Sequence, residues 1–148
     1  MARGTTTKAM TGQYFTLVEE LNAAYDHYAK LTGLSGAALS VFRQIVEHEG
    51  TTQKQIENHC FLSKQTINAA VTMFYRKGWL RMENLTEDRR LKGLHLTEKG
   101  QEAVQELLGP AMRCEDEAMK TLSDEERETL LRLTSTYVKA CVGILEQK

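Results

Sequence analysis

A chain of 148 residues, 41% hydrophobic and 26% charged, is sized for one domain or one domain with an extension, and carries enough apolar side chains for a core. That balance excludes an intrinsically disordered chain; no apolar run reaches the roughly 18–20 residues of a membrane span, and the opening "MARGTTTKAMTGQ" lacks the apolar segment of a signal peptide. The formal net charge is −1, and three cysteines without a C-x-x-C spacing point to a reducing cytoplasm rather than a disulfide framework.

The single proline, Pro110, leaves long helices open almost everywhere. Residues 14–31 set Tyr14, Leu17, Val18, Leu21, Ala24, Tyr25, Tyr28 and Leu31 at helical spacing, an amphipathic first helix that "TGLSG" interrupts. Ser35 can cap a second helix with Leu39, Phe42, Ile45 and Val46 on one face, ended by Gly50. Thr52 and Gln55 have the spacing of a capping box, which predicts a short third helix from residue 53. Ser63 caps a fourth helix that runs to about Lys77 and stops at Gly78.

The period then changes. "WLRMEN" (79–84) alternates, and so does "LHL" (94–96), with the polar "LTEDRRLKG" between them. This is a two-stranded hairpin with a long basic loop, and two strands alone are marginal in water, so the hairpin must lean on the helices. Thr97 caps a fifth helix, which Gly109-Pro110 must kink or break. Ser123 with Glu126 repeats the capping-box pattern ahead of a last helix carrying Leu130, Leu133, Tyr137, Cys141, Ile144 and Leu145 on one stripe.

The fourth helix has two faces. Ile67, Ala70, Val71 and Phe74 fall at i, i+3, i+4, i+7 and suffice to dock it on a core. Gln65, Asn68, Ala69, Thr72 and Arg76 form a second stripe, turned outward and free of acidic residues. Amides, a hydroxyl, a small apolar group and a guanidinium are the groups that read base edges. Ser63, Lys64, Gln65 and Thr66 surround the helix N-terminus, whose free N–H groups and positive dipole end suit a phosphate. The bland alternative is a core helix with an ordinary polar face.

Charge is distributed to match. Residues 63–100 hold 8 basic and 4 acidic side chains, against 5 and 6 in residues 1–62 and 6 and 10 in residues 101–148. Arg89, Arg90 and Lys92 crowd the hairpin loop, where arginine can enter a narrow minor groove. Asp88 fits as an acceptor that fixes the shape of the tip. The other account of this loop is a solvated turn with chance charges.

At this point "LSKQTINAAVTMFYRKGWL" followed by "DRRLKGLHLTEKG" resembles the MarR family of bacterial transcriptional regulators. The shared pattern is a helix-turn-helix, "KGWL" opening a strand, an Asp-x-Arg wing at Asp88 and Arg90, and "LTEKG" opening the next helix. The resemblance implies a mainly α fold with a small β-hairpin wing: a winged helix-turn-helix at 35–97 and a helical dimerisation region at 1–34 and 98–148. It implies a cytoplasmic homodimer on double-stranded DNA, a repressor of a pseudo-palindromic operator, released by a small aromatic effector or by cysteine oxidation. By the resemblance Ser63, Lys64, Gln65, Thr66 and Asn68 contact DNA and Arg90 is the wing arginine. The sequence departs from the pattern where the turn often holds glycine: Phe61 stands there, which points to a differently built turn. No cysteine lies near the N-terminus, where the peroxide-sensing branch places its reactive thiol.

Other constellations carry less. The four histidines, His27, His48, His59 and His95, are scattered, and no metal or cofactor is expected. No nucleophile–base set and no glycine-rich phosphate loop is visible, so an enzyme is not expected. Tyr14, Tyr25, Tyr28 and Phe42 could line a cleft for an aromatic effector or serve as core and dimer contacts. Cys60, Cys114 and Cys141 read either as buried small hydrophobes or as a thiol redox switch on the same scaffold. A winged helix used as a protein-interaction module is the reading from another class.

Overall fold

The computed structural model describes residues 4–87 and 90–147. Its elements run α1 (Thr7–Thr32), α2 (Gly36–Glu47), α3 (Gln53–Cys60), α4 (Lys64–Arg76), β1 (Leu80–Asn84), β2 (Lys92–Leu96), α5 (Glu98–Leu107), α6 (Gly109–Lys120) and α7 (Asp124–Glu146). They fall into two compact units, Met1–Leu108 and Gly109–Lys148. Mainly helical, with one antiparallel hairpin, this is a winged helix-turn-helix with long added helices.

In the first unit the helix ends follow their caps. The side chains of Thr6, Ser35, Thr52, Ser63 and Thr97 each accept a backbone N–H three residues on. Thr52 and Gln55 complete the reciprocal capping box. Helix α1 starts at Thr7, well before its apolar stripe, because Thr6 supplies a cap there. Helix α2 stops at Glu47 rather than at Gly50, and Gly50 takes φ 80° in the turn that follows.

The core gathers one face of each short helix. Val41, Phe42, Ile45, Ile67, Val71 and Phe74 have no exposure, and Ile56 and Leu94 have 1%. All four residues of the inward stripe of α4 are buried. Phe42, Phe74 and Trp79 form a three-ring cluster, with centroids 4.8 Å apart for Phe42–Phe74, 5.3 Å for Phe42–Trp79 and 5.7 Å for Phe74–Trp79. Offset rings at these spacings add to their area burial.

The hairpin is held by backbone as well as by packing. Leu80 pairs with Leu96 and Asn84 with Lys92. On the outer edge of β2, Gly50 N–H donates to Leu94 O at 3.0 Å and Leu94 N–H donates to Thr51 O at 2.8 Å. The Gly50–Thr51 segment therefore acts as a third, minimal edge that ties the wing to the end of α2. At the other end Thr97 N–H donates to Trp79 O and Thr97 Oγ1 to Gly78 O.

The turn between α3 and α4 corrects the sequence reading. Phe61 sits at φ 53°, ψ 29°, the left-handed conformation that glycine adopts freely. The turn is built in the usual left-handed way, and the side chain carries a strain of about 1 kcal/mol.

In the second unit α6 begins at Gly109 with Pro110 in its first turn, where a missing N–H costs nothing. Ser123 and Glu126 cap α7 reciprocally, and Arg127 Nε donates to Met119 O at 2.8 Å, closing the α6–α7 corner. None of the described residues of α7 is buried: Leu130, Leu131, Leu133, Tyr137, Val138, Val142, Ile144 and Leu145 are all exposed. In the first unit α1 exposes Met10, Tyr14, Phe15, Leu17, Val18, Leu21, Tyr25 and Leu31 and buries only Ala29. No helix among the described residues is long and apolar enough to cross a membrane.

Candidate nucleic-acid interface

Helices α3 and α4 meet at the Phe61 turn, and the core stripe of α4 leaves its other face outward. Gln65, Asn68, Ala69 and Arg76 are exposed and Thr72 is half-buried, so the outward stripe exists as spaced. One of its members, and the capping pair at the helix start, already have partners. Asn68 Nδ2 donates to Gln53 Oε1 on α3 at 3.2 Å, which fixes the amide and leaves its oxygen outward-facing capacity. The Ser63 hydroxyl accepts from Thr66 N–H at 3.1 Å and lies 2.7 Å from the Thr66 hydroxyl. Ser63 is thus first a cap, and the pair presents its remaining hydrogen-bonding capacity jointly.

Between α3, the start of α4 and the wing lies a groove of about 350 Å³. Among the described residues Lys54, Lys64, Arg90 and Lys92 line it, with one acid, Glu57, and the apolar side chains Met82, Leu91 and Leu94. Four cations around one groove make a local positive field in a chain that is nearly neutral overall. Lys54 was not singled out in the sequence. Its signal was position alone, in the first turn of the helix ahead of α4.

The wing carries its own electrostatics. His95 on β2 lies between two carboxylates, with Nδ1 2.8 Å from Glu49 Oε1 and Nε2 3.3 Å from Glu83 Oε2. This cluster joins both strands to the loop after α2. Leu85 N–H donates to Leu91 O at 3.1 Å and narrows the hairpin below its tip. Asp88 and Arg89 lie outside the described residues. Lys77 stands with Nζ 5.2 Å over the Trp79 ring, a cation–π contact at the junction of α4 and β1.

The proposed aromatic set is not brought together. Phe42 has no exposure, its ring being packed against Phe74 and Trp79, so it is a core residue rather than part of a ligand cleft. Tyr28 Oη donates to Leu107 O at 2.7 Å and ties α1 to the end of α5. Tyr14 and Tyr25 are 37% and 42% exposed on α1. Fourteen residues of helix separate Tyr14 from Tyr28, about 21 Å of rise, too far to share one small pocket.

The cysteines differ in setting. Cys60 is half-buried, its Sγ 4.0 Å from Ser40 O, and burial pushes its thiol above the ordinary value. Cys114 is exposed and Cys141 half-buried. Since the thiolate is the reactive form and Cys60 is also half-buried, alkylation of Cys60 is expected to be slower than that of the exposed Cys114 near neutral pH and to accelerate as pH rises. Mass-resolved labelling with iodoacetamide measures this; Cys60 reacting first at neutral pH would contradict it. Among the described residues no group of three or more His, Cys, Asp or Glu converges as a metal site.

Comparison with known proteins places the chain. The MarR family model matches residues 32–91, the span that holds α2, α3, α4, β1 and the wing loop. The transcriptional repressor MprA of Escherichia coli is 27% identical over 107 residues, 71% of this chain. The chain spans 61% of that relative's length. A MarR family regulator from Neisseria meningitidis superposes with a TM-score of 0.77 at 22% identity, covering 94% of this chain and 99% of the other. Staphylococcus aureus MarR in complex with salicylate and kanamycin superposes with a TM-score of 0.70 at 16% identity, covering 93% of each chain. The matched span, the order of helices and wing, and the repressor relative agree in one direction: the chain is similar to MarR family regulators and shares their fold.

Proposed function

We propose that the chain is a sequence-specific transcriptional regulator that binds double-stranded DNA in the cytoplasm as a homodimer, a ligand-responsive repressor rather than an enzyme. The observation that carries this reading is the acid-free outer face of α4 beside a groove lined by Lys54, Lys64, Arg90 and Lys92. Residues 35–97 form the DNA-reading part. Helix α4 enters the major groove, where Gln65, Asn68, Thr72 and Arg76 read base edges. Ser63, Lys64 and Thr66 meet backbone phosphate, and Arg90 and Lys92, with Arg89, reach the flanking minor groove.

Residues 1–34 and 98–148 form the dimerisation region in this reading. The exposed apolar side chains of α1 and of α7 support it, because faces of that size need cover and a second copy supplies it with two-fold symmetry. That symmetry suits a pseudo-palindromic operator with half-sites about one helical turn apart, roughly 34–36 Å. A small aromatic effector fits the salicylate-bound relative, and it would act by favouring a dimer whose α4 spacing no longer matches the half-sites.

The test is fluorescence anisotropy on the DNA upstream of the chain's own gene, against scrambled DNA, across salt. Tight selective binding is expected. Arg90→Ala should weaken binding about five- to tenfold and flatten the salt slope by about 0.9, one phosphate's worth. Asn68→Ala should cost about tenfold on the selected site and little on scrambled DNA. The dimer should survive both changes; wild-type affinity in both variants would refute the residue assignment.

A further inference from the structure

Phe61 combines two unfavourable features. Its backbone holds the left-handed conformation that strains a side chain, and its ring is 95% exposed, the most exposed of the large hydrophobic side chains among the described residues. No burial of the ring offsets the strain. Its neighbours Cys60 and Leu62 are half-buried and anchor the turn, so the ring is not what holds the helices together. The fold needs the left-handed turn but not a phenylalanine in it, and a large exposed side chain kept at a strained position points to a use outside the fold.

The position narrows that use. Phe61 stands two residues before Ser63, the cap of α4, at the leading end of the helix proposed to enter DNA. Around it Asn58, His59, Ser63, Lys64, Gln65 and Thr66 are exposed and polar. A protein partner would need an apolar patch, and a lone ring in polar surroundings is not one. A single methyl group in a polar groove is a better match, and the thymine methyl in the major groove is such a group.

We infer that Phe61 is a specificity-determining residue that sets its ring against the C5-methyl of one thymine in each operator half-site. The inference rests on the DNA-binding reading above and adds to it a contact from the turn. It predicts that stability and recognition move apart on substitution. In Phe61→Gly the thermal midpoint should hold or rise by about 2 °C, because the strain is relieved and no buried surface is lost.

The experiment selects a binding site for the full-length wild-type chain from random double-stranded DNA. It then replaces each thymine of that site by deoxyuridine, which removes only the methyl. Wild type should lose about three- to tenfold in affinity at one thymine per half-site. Phe61→Gly should bind the unmodified site weaker by the same factor and be indifferent to that replacement, while Phe61→Leu keeps part of the sensitivity. If wild type selects a site but Phe61→Gly binds it equally well and with the same deoxyuridine profile, the inference falls and the DNA reading stands. If wild type selects no sequence, both fall.

Discussion

Phe74→Ala is expected to remove a large share of the stability of the winged helix. The ring is fully buried on α4 and touches both other rings of the cluster, Phe42 and Trp79. Truncation of a buried phenylalanine costs about 3–5 kcal/mol, from lost transfer energy plus the cavity left behind. A domain of ordinary stability has only about 5–15 kcal/mol to lose, so the variant should unfold at a fraction of the wild-type urea midpoint. Tyr75, one residue along and 54% exposed, is the control. Tyr75→Ala should shift the midpoint little, since surface changes stay within about 0.5 kcal/mol. Equal losses in the two variants would mean that α4 does not dock by the face assigned to it.

Gly100→Ala should be nearly as damaging, for a reason of shape. Gly100 is buried in the first turn of α5, and a Cβ built there would meet the carbonyl oxygen of Trp79 at 2.1 Å and its carbonyl carbon at 2.9 Å. Both are backbone atoms, which cannot rotate away. Either α5 withdraws or the backbone at Trp79, just ahead of β1, shifts, and either movement loosens the Thr97–Trp79 and Thr97–Gly78 bonds. A loss of about 2–4 kcal/mol is expected, overpacking plus weakened hydrogen bonds. Gly36 in α2 offers the contrast, because a Cβ there meets nothing within 4 Å. Gly36→Ala should stabilise by up to about 1 kcal/mol. A thermal melt in which both variants behave alike would sink the argument.

Much of the fold was legible because its signals are local. Caps at Ser35, Thr52, Ser63, Thr97 and Ser123 and the stripe Ile67, Ala70, Val71, Phe74 each follow from spacing along a few residues. The edge at Gly50–Thr51 was not legible, since two residues have no period and their bonds go to Leu94, more than forty positions away. Phe61 misled for the opposite reason. Preference says that phenylalanine avoids positive φ, but the surrounding helices fix the turn and override it. The outward stripe of α4 was readable as a pattern. The groove that adds Lys54 to Lys64, Arg90 and Lys92 was not, because it is assembled from three separate elements. Phe42 looked available for a ligand only because an aromatic residue in a helix carries no mark of how deeply it sits.

The bonds that join Gly50 and Thr51 to Leu94 are main-chain bonds. No side chain takes part in these two bonds, so residues at the tip of the wing can vary without disturbing them. The attachment separates where a reading element stands from what it reads. A lineage could therefore retune the tip at Arg90 and Lys92 by single substitutions, and each variant would arrive already mounted beside α4. Divergence of recognition would then run ahead of divergence of shape, and descendants with unlike targets would keep one backbone.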